Sequence, residues 1–237
     1  MFKVTGRQNA RVLYAKAQLK GGRTRQDDTL DHYLDECFVA ADGVSTVPNG
    51  DIAARLGAET AVWGYKFIRT KRFYWHDKKL LLKRIFRSAN IAVWQKARER
   101  AFRSGLATTL TVVIIGDTVI WTGHVGDSRV YLYRNGQLER LTIDDIDQEG
   151  RLTTVLGVKR FGLVPQVQSR KFSPGDTLII TTDGVTNFVS HDELAEILMS
   201  VGTTQDSLDS AATNIMRAVT ENRGLDNASV WVVRRIA

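Results

Sequence analysis

The sequence predicts an α+β fold built on largely antiparallel sheet, and three observations carry that expectation. Runs such as "TTLTVVIIG" and "ASVWVVRR" are rich in β-branched residues and read as strands. Asn135-Gly136 sits between alternating residues in "VYLYRNGQLERLT", and that pair tolerates the positive φ angles of a type I′ hairpin turn. Helical stretches come in pairs between runs of strands, which argues against a doubly wound parallel sheet.

Taken in order, residues 10–20 read as a strand and residues 36–41 as a short buried strand ending at Asp42. Residues 51–70 have a helical pattern. A second helix is expected from Leu80 to Arg103, where Leu82, Phe86, Ala89 and Val93 fall on one apolar face. Gly116-Asp117 turns "TTLTVVIIG" into "TVIWTGHV", and Pro174-Gly175 marks a turn before "DTLIITTDG". Ser190 with Glu193 three residues on forms a capping-box pattern that opens "HDELAEILMS". A last helix is expected over about Asp206–Thr220, with "ASVWVVRR" as the closing strand.

At 237 residues, with 43% apolar and 25% charged content, the chain suits one large domain spanning 1–237. Its one cysteine, Cys37, allows no intramolecular disulfide, which fits a reducing compartment. The first twenty residues lack the long apolar core of a signal peptide. No apolar run approaches the roughly 18 residues of a membrane span, so the cytoplasm is the expected location. The +7 net charge is concentrated: Lys66 to Arg103 holds thirteen Lys and Arg against Asp77 and Glu99, leaving the remainder at about −4. That stretch is either a patch for an anionic partner or a solvated helix face. It lacks the motif of a known nucleic-acid module, so a nucleic-acid partner is not expected.

The informative feature is a set of aspartates at strand ends. Asp42 follows "FVAA", Asp183 follows "TLIITT", and Asp226 precedes the final strand. Asp28 follows the loop "KGGRTRQDD", and Asp127 sits in "HVGDSR". Any one alone is an ordinary turn residue. Several carboxylates converging would repel one another unless hard cations bridged them, and oxygen-only ligands suit Mg²⁺ or Mn²⁺. His32, His76, His124 and His191 have no metal-ligand spacing, and His124 reads as a packed strand residue.

The order of these motifs resembles the metal-dependent protein serine/threonine phosphatases, the PPM or type 2C family, from about Leu13 to Arg235. The matching segments are "RTRQDD", "ADGVST", "GLATT", "VGDSRVYLYRNGQLERLT", "GDTLIITTDG" and "DNAS". The resemblance implies a four-layer α/β/β/α sandwich, two mainly antiparallel sheets flanked by helix pairs, with the site at one edge. It implies two Mn²⁺ or Mg²⁺ ions bridged by Asp42, one also bound by the Gly43 carbonyl. Asp183 and Asp226 would complete the first metal site. Asp28 would hold the second through water, with Asp27 as its neighbour and Arg23 gripping the phosphate. The implied reaction is attack on phosphoserine or phosphothreonine by a water between the metals, with no phosphoenzyme. Cys37 is followed six positions on by Gly43 rather than Arg, which excludes a cysteine-based phosphatase loop. The implied partners are a phosphorylated protein substrate and a cognate serine/threonine kinase.

Four departures stand out. Ser45-Thr46 replaces a glycine pair, and strain is expected if the backbone there needs positive φ. Ala107 replaces another glycine. Asn187 stands where the family has an Asp, which weakens a third metal site using Asp127; as an alternative, Asp127 is a turn acid capping backbone amides. The family's flap subdomain is cut to Ile143–Thr153, ahead of "TVLG". The rival reading is a non-catalytic module that kept the fold and engages an acidic or phosphorylated partner through its basic helix. A degenerate relative would be expected to lose Asp42, Asp183 or Asp226, and all three are present.

Overall fold

The structure, a computed structural model, describes residues 12–71 and 76–237. Residues 10 and 11 of the expected first strand, and Arg72 of the basic stretch, lie outside the described residues. Strand β3 (Cys37–Asp42) shows how the layers arise. Side chains of a pleated strand alternate between faces. Cys37, Val39 and Ala41 pack toward helices, while Phe38 and Ala40 enter a second cluster with Ile180 and Trp231. Both faces are apolar because both are covered.

One sheet runs β2 (Asp28–Tyr33), β3, β4 (Leu110–Ile115), β5 (Val119–Val125), β8 (Gln166–Lys171). The other runs β1 (Val12–Leu19), β10 (Ala228–Arg235), β9 (Thr177–Thr181), β6 (Arg129–Arg134), β7 (Gln137–Arg140). Every pairing is antiparallel. Helices α1 (Gly50–Ile68) and α2 (Lys78–Lys96) cover the first sheet. The short α3 (Asp183–Thr186), α4 (His191–Met199) and α5 (Gln205–Glu221) cover the second. The four-layer expectation holds. Between the sheets, Trp231 is buried against Phe38 and its indole Nε1–H donates to the Val39 carbonyl at 3.0 Å.

Local signals hold where they were specific. Asn135 and Gly136 have φ of 51° and 81°, as the hairpin needs. Ser190 and Glu193 make both bonds of the capping box. The second helix ends at Lys96 instead of Arg103, followed by a 3₁₀ turn at Arg100–Phe102. The apolar face stops at Val93, and Lys96 and Arg100 offer nothing to bury, so packing no longer supports the helix. Strands β2 and β8 gave no clear sequence signal. β2 has one buried aliphatic, Leu30, and β8 is a polar edge strand, "QVQSRK". His124 is a buried strand residue, with its ring nitrogens on Thr111 Oγ1 and the Gly126 carbonyl, each at 2.9 Å. Among the described residues, no helix is long and apolar enough to cross a membrane.

One buried polar side chain ties α2 to the segment that follows the short loop. Asn90 donates through Nδ2 to the carbonyls of Lys159 (2.8 Å) and Arg160 (3.3 Å). Its Oδ1 accepts the Gly157 N–H at 3.0 Å. Gly157 has φ of 93°, and a Cβ there would lie 2.4 Å from the Leu106 carbonyl oxygen, so the segment follows a path only glycine permits. Replacing Asn90 with Ala leaves three backbone groups short of a partner. A loss of about 2 kcal/mol is expected in urea unfolding, and an unchanged midpoint would show that the segment is held by other contacts.

Candidate functional site

The alternation that builds the inter-sheet core also places the acids. Asp42 continues the parity of Phe38 and Ala40, and Asp28 that of Leu30, so both belong to the inner face. They are Cα partners in the β2–β3 register, at the end where the apolar core stops. Asp183 begins α3 just beyond β9, and Asp226 lies just before β10, the strand paired with β9. Asp127 lies between β5 and β6. The structure therefore gathers at one edge all the acids expected there.

Each is held by neighbours that also explain the motif around it. Thr108 and Thr109 of "GLATT" bracket the Asp42 backbone. Thr109 Oγ1 accepts the Asp42 N–H at 2.9 Å, and the Asp42 carbonyl accepts from Thr109 N (2.9 Å) and Thr108 Oγ1 (2.8 Å). Gly43 lies against Gly50, the first residue of α1; a Cβ on Gly43 would sit 2.3 Å from the Gly50 backbone. Gly184 meets the Asn227 carbonyl in the same way, at 1.9 Å from a built Cβ. The glycines after Asp42 and Asp183 are thus close-approach positions.

Asp28 lies deepest. Its Oδ2 accepts from Ser229 Oγ (2.7 Å) and Thr182 Oγ1 (2.9 Å), while its Oδ1 is buried with no partner. Burial pushes its carboxyl up to about 7 against the pull of those two hydroxyls. Asp127 has a partnerless buried Oδ1 as well, and burial, then the Asp183 charge, pushes it up to about 7. Asp42 is raised well above the usual carboxylate range by burial and then by Asp28 and Asp183. Asp183 is raised mainly by burial and accepts from Asn187 Nδ2 at 3.1 Å. Asp226 receives a two-pronged fork from Arg23, Nε to Oδ1 and Nη2 to Oδ2, both 2.7 Å.

Sequence reasoning gave no role to Asn227, Ser229, Thr182 or Thr109. Asn227 matters most. Its Nδ2 donates to the carbonyls of Lys20 (2.8 Å) and Arg25 (3.0 Å), and its Oδ1 accepts the Asp27 N–H at 2.8 Å. One side chain thereby pins the loop that carries Arg23, Asp27 and Asp28. Its place in "DNAS", next to Asp226, was the available signal.

Ser45-Thr46 brings no strain. Both keep negative φ, and the left-handed conformation falls on Asn49, at φ 67° just before α1. The turn closes instead through Val47 N–H to the Val44 carbonyl at 3.2 Å. The shortened loop is anchored beside the site. Asp145 exchanges two bonds with Gly126: the Gly126 N–H donates to Asp145 Oδ2 at 2.9 Å and the Asp145 N–H donates to the Gly126 carbonyl at 2.7 Å.

The result is a cleft of about 510 Å³ whose lining includes Arg23, Asp42, Gly43, Asp127, Asp183 and Asp226, with Arg151 and Val158 toward the loop. Among the described residues no three carboxylates yet close around one point as a finished cage. Arg23 holds both oxygens of Asp226, and Asn187 holds one of Asp183. The donors nevertheless fit a hard divalent cation. They are all oxygen, they destabilise one another as anions, and two have buried oxygens without a partner.

The chain matches the family model for protein phosphatase 2C over residues 16–224. It is 25% identical over 234 residues to the protein phosphatase PhpP of Streptococcus pneumoniae, covering 89% of this chain and 92% of PhpP. It is 26% identical over 216 residues to the serine/threonine phosphatase stp of Listeria monocytogenes, covering 83% of each. The fold matches the catalytic domain of the serine/threonine protein phosphatase PstP, solved with two manganese ions, at a TM-score of 0.81. Identity there is 22%, over 95% of this chain and 99% of that one.

Acids raised toward 7 keep protons in the folded state that the unfolded chain releases near pH 4. The stability they allow is present at low pH and is lost as pH rises through about 7. In EDTA the melting temperature is expected to fall between about pH 4 and about pH 7 and to level off above that, and Mn²⁺ should restore it at about pH 8. Asp42→Asn removes one charge from the cluster. It should stabilise the EDTA-treated protein by about 1–3 kcal/mol at about pH 8 and blunt the Mn²⁺ effect. Equal melting curves for both proteins across that range would show that repulsion does not dominate the site.

Proposed function

Because this chain belongs to the protein phosphatase 2C family, we propose that it is a metal-dependent phosphatase of phosphoserine and phosphothreonine in proteins, using Mn²⁺ or Mg²⁺. The observation that supports this most is the pair of partnerless carboxylate oxygens, Asp28 Oδ1 and Asp127 Oδ1, set among acids that carry charge only at a cost. Asp42 would serve two ions, with the Gly43 carbonyl, Asp183 and Asp226 completing one and Asp28 reaching the other through water. Asp127 would belong to a third position, weakened because Asn187 is neutral. Bound there, divalent ions would supply a water acidified to near-neutral pH and positive charge beside the phosphoryl group.

The chain's own residues supply position. Thr182 and Ser229 fix the Asp28 carboxylate, and Thr108 and Thr109 fix the backbone of Asp42. Arg23 presents two parallel donors, the arrangement that matches two oxygens of a phosphate as well as it matches Asp226. Its guanidinium would stabilise charge on the phosphoryl group during transfer. Among the described residues no histidine lines the cleft, and Val44 stands beside Gly43, so the leaving hydroxyl would take its proton from an ordered water. A serine/threonine kinase supplies the substrate, since that reaction class makes such esters. The acids a non-catalytic relative would lose are intact, which leaves that rival without support.

Hydrolysis of p-nitrophenyl phosphate and of a phosphothreonine peptide is expected with Mn²⁺ and none with EDTA. Asp42→Ala should lower kcat by about 10³ or more, and Arg23→Ala should cost about 10–100-fold in kcat/KM. Turnover that survives both EDTA and Asp42→Ala would overturn the mechanism.

A further inference from the structure

A second cavity, of about 410 Å³, lies between α2 and the segment after the short loop, and its lining includes Lys83, Arg87, Arg160 and Phe161. Its charge is one-sided. Helix α2 contains six Lys and Arg and no acid, and residues 154–171 contain four Lys and Arg and no acid. Among the described residues, Lys83 and Arg87 have no carboxylate partner, and both are exposed. Arg160 lies over the rings of Trp94 and Phe161, at 5.2 and 4.8 Å, so a planar cation is held at the mouth by stacking instead of by an anion. Phe161 is 60% and Val164 77% exposed, unusual for residues of that size.

The groove is preformed, because Asn90 fastens Gly157, Lys159 and Arg160 to α2. It also adjoins the catalytic cleft. Val155 and Val158 line that cleft, and Arg160, two residues on, lines the groove. A polypeptide bound with its phosphoresidue at the acids would meet a cationic wall with exposed apolar side chains a few residues away.

We propose that this groove docks an acidic segment of the substrate protein flanking the phosphoserine or phosphothreonine. The proposal rests on the phosphatase reading above and adds its substrate class. Charge complementarity decides the occupant: an uncompensated cationic wall favours carboxylates, and the apolar residues favour a polypeptide over a free anion. The groove stands in for the specificity surface that a longer loop at 143–153 would supply.

The test uses phosphothreonine peptides with Glu/Asp runs on either flank and Gln/Asn-matched controls, with the full chain in Mn²⁺. The wild type is expected to prefer one of the acidic peptides through a lower KM, with kcat little changed. Lys83→Glu/Arg87→Glu should raise that KM about tenfold and leave the control peptide, p-nitrophenyl phosphate turnover and the melting temperature unchanged. Lys83→Gln/Arg87→Gln gives a smaller rise and serves if the reversed pair folds poorly. Fluorescence anisotropy with a labelled, phosphate-free acidic peptide reads the groove without catalysis, and its affinity should fall with salt and in either variant. If the wild type binds that peptide but turns over nothing, docking stands and the phosphatase reading fails. Equal KM values for acidic and neutral peptides would overturn the proposal. So would displacement of the labelled peptide by a single-stranded RNA or by phosphatidylserine vesicles at lower concentration than by unlabelled acidic peptide.

Discussion

Carboxylates crowded at the end of a hydrophobic layer are the constraint on which this structure depends. Asp28 and Asp42 face each other across β2 and β3, with Asp183 close enough to raise the proton affinity of both and Asp127 that of Asp42. Like charges in a partly dry site repel, and only rigid surroundings keep them together. Phe38, Ala40 and Trp231 fill the space behind them, and the two sheets cannot part at that edge without exposing this core. The fold supplies the packing energy and the site spends some of it.

The polar shell shows how that tension is contained. Asp28 gives one oxygen to Ser229, on β10 of the opposite sheet, and to Thr182, just past the end of β9, so a single carboxylate links the two sheets. Asn227 pins the 20–27 loop, and Arg23 covers Asp226 with a paired ion bridge. These contacts leave Asp28 Oδ1 and Asp127 Oδ1 without a hydrogen-bond donor. A stable protein rarely wastes buried acceptors, and a cation is the partner whose chemistry answers both the repulsion and the vacancy of hydrogen bonds.

Loops on the same side connect this edge to the outer surface. Asp145 anchors the short loop to Gly126, next to Asp127, and Asn90 anchors the following segment to α2. The segment 155–165 therefore forms part of two cavities, one acidic and one basic. Within the basic stretch that sequence left as either patch or solvated face, residues 78–96 form a helix with a buried face and a cationic outer face bordering one of them.

Strand parity, the Asn135-Gly136 turn, the Ser190 capping box and the apolar face of α2 through Val93 were legible in the sequence, because each depends on residues a few positions apart. So were Asp42, Asp183 and Asp226 as acids at strand ends. The polar edge strand β8 and the weakly patterned β2 were not, since neighbouring strands rather than their own side chains hold them. The fate of Ser45-Thr46 was not legible either: the positive φ moved to Asn49, a choice made by how the turn meets α1. Only the tertiary structure decided that Asn227 clamps a loop some two hundred residues earlier, that Arg23 pairs with Asp226, and that Gly43 and Gly184 allow backbones to touch. Periodicity is local and can be read along the chain. Which distant residues share a strand end is set by sheet pairing, and that needs the whole core in place.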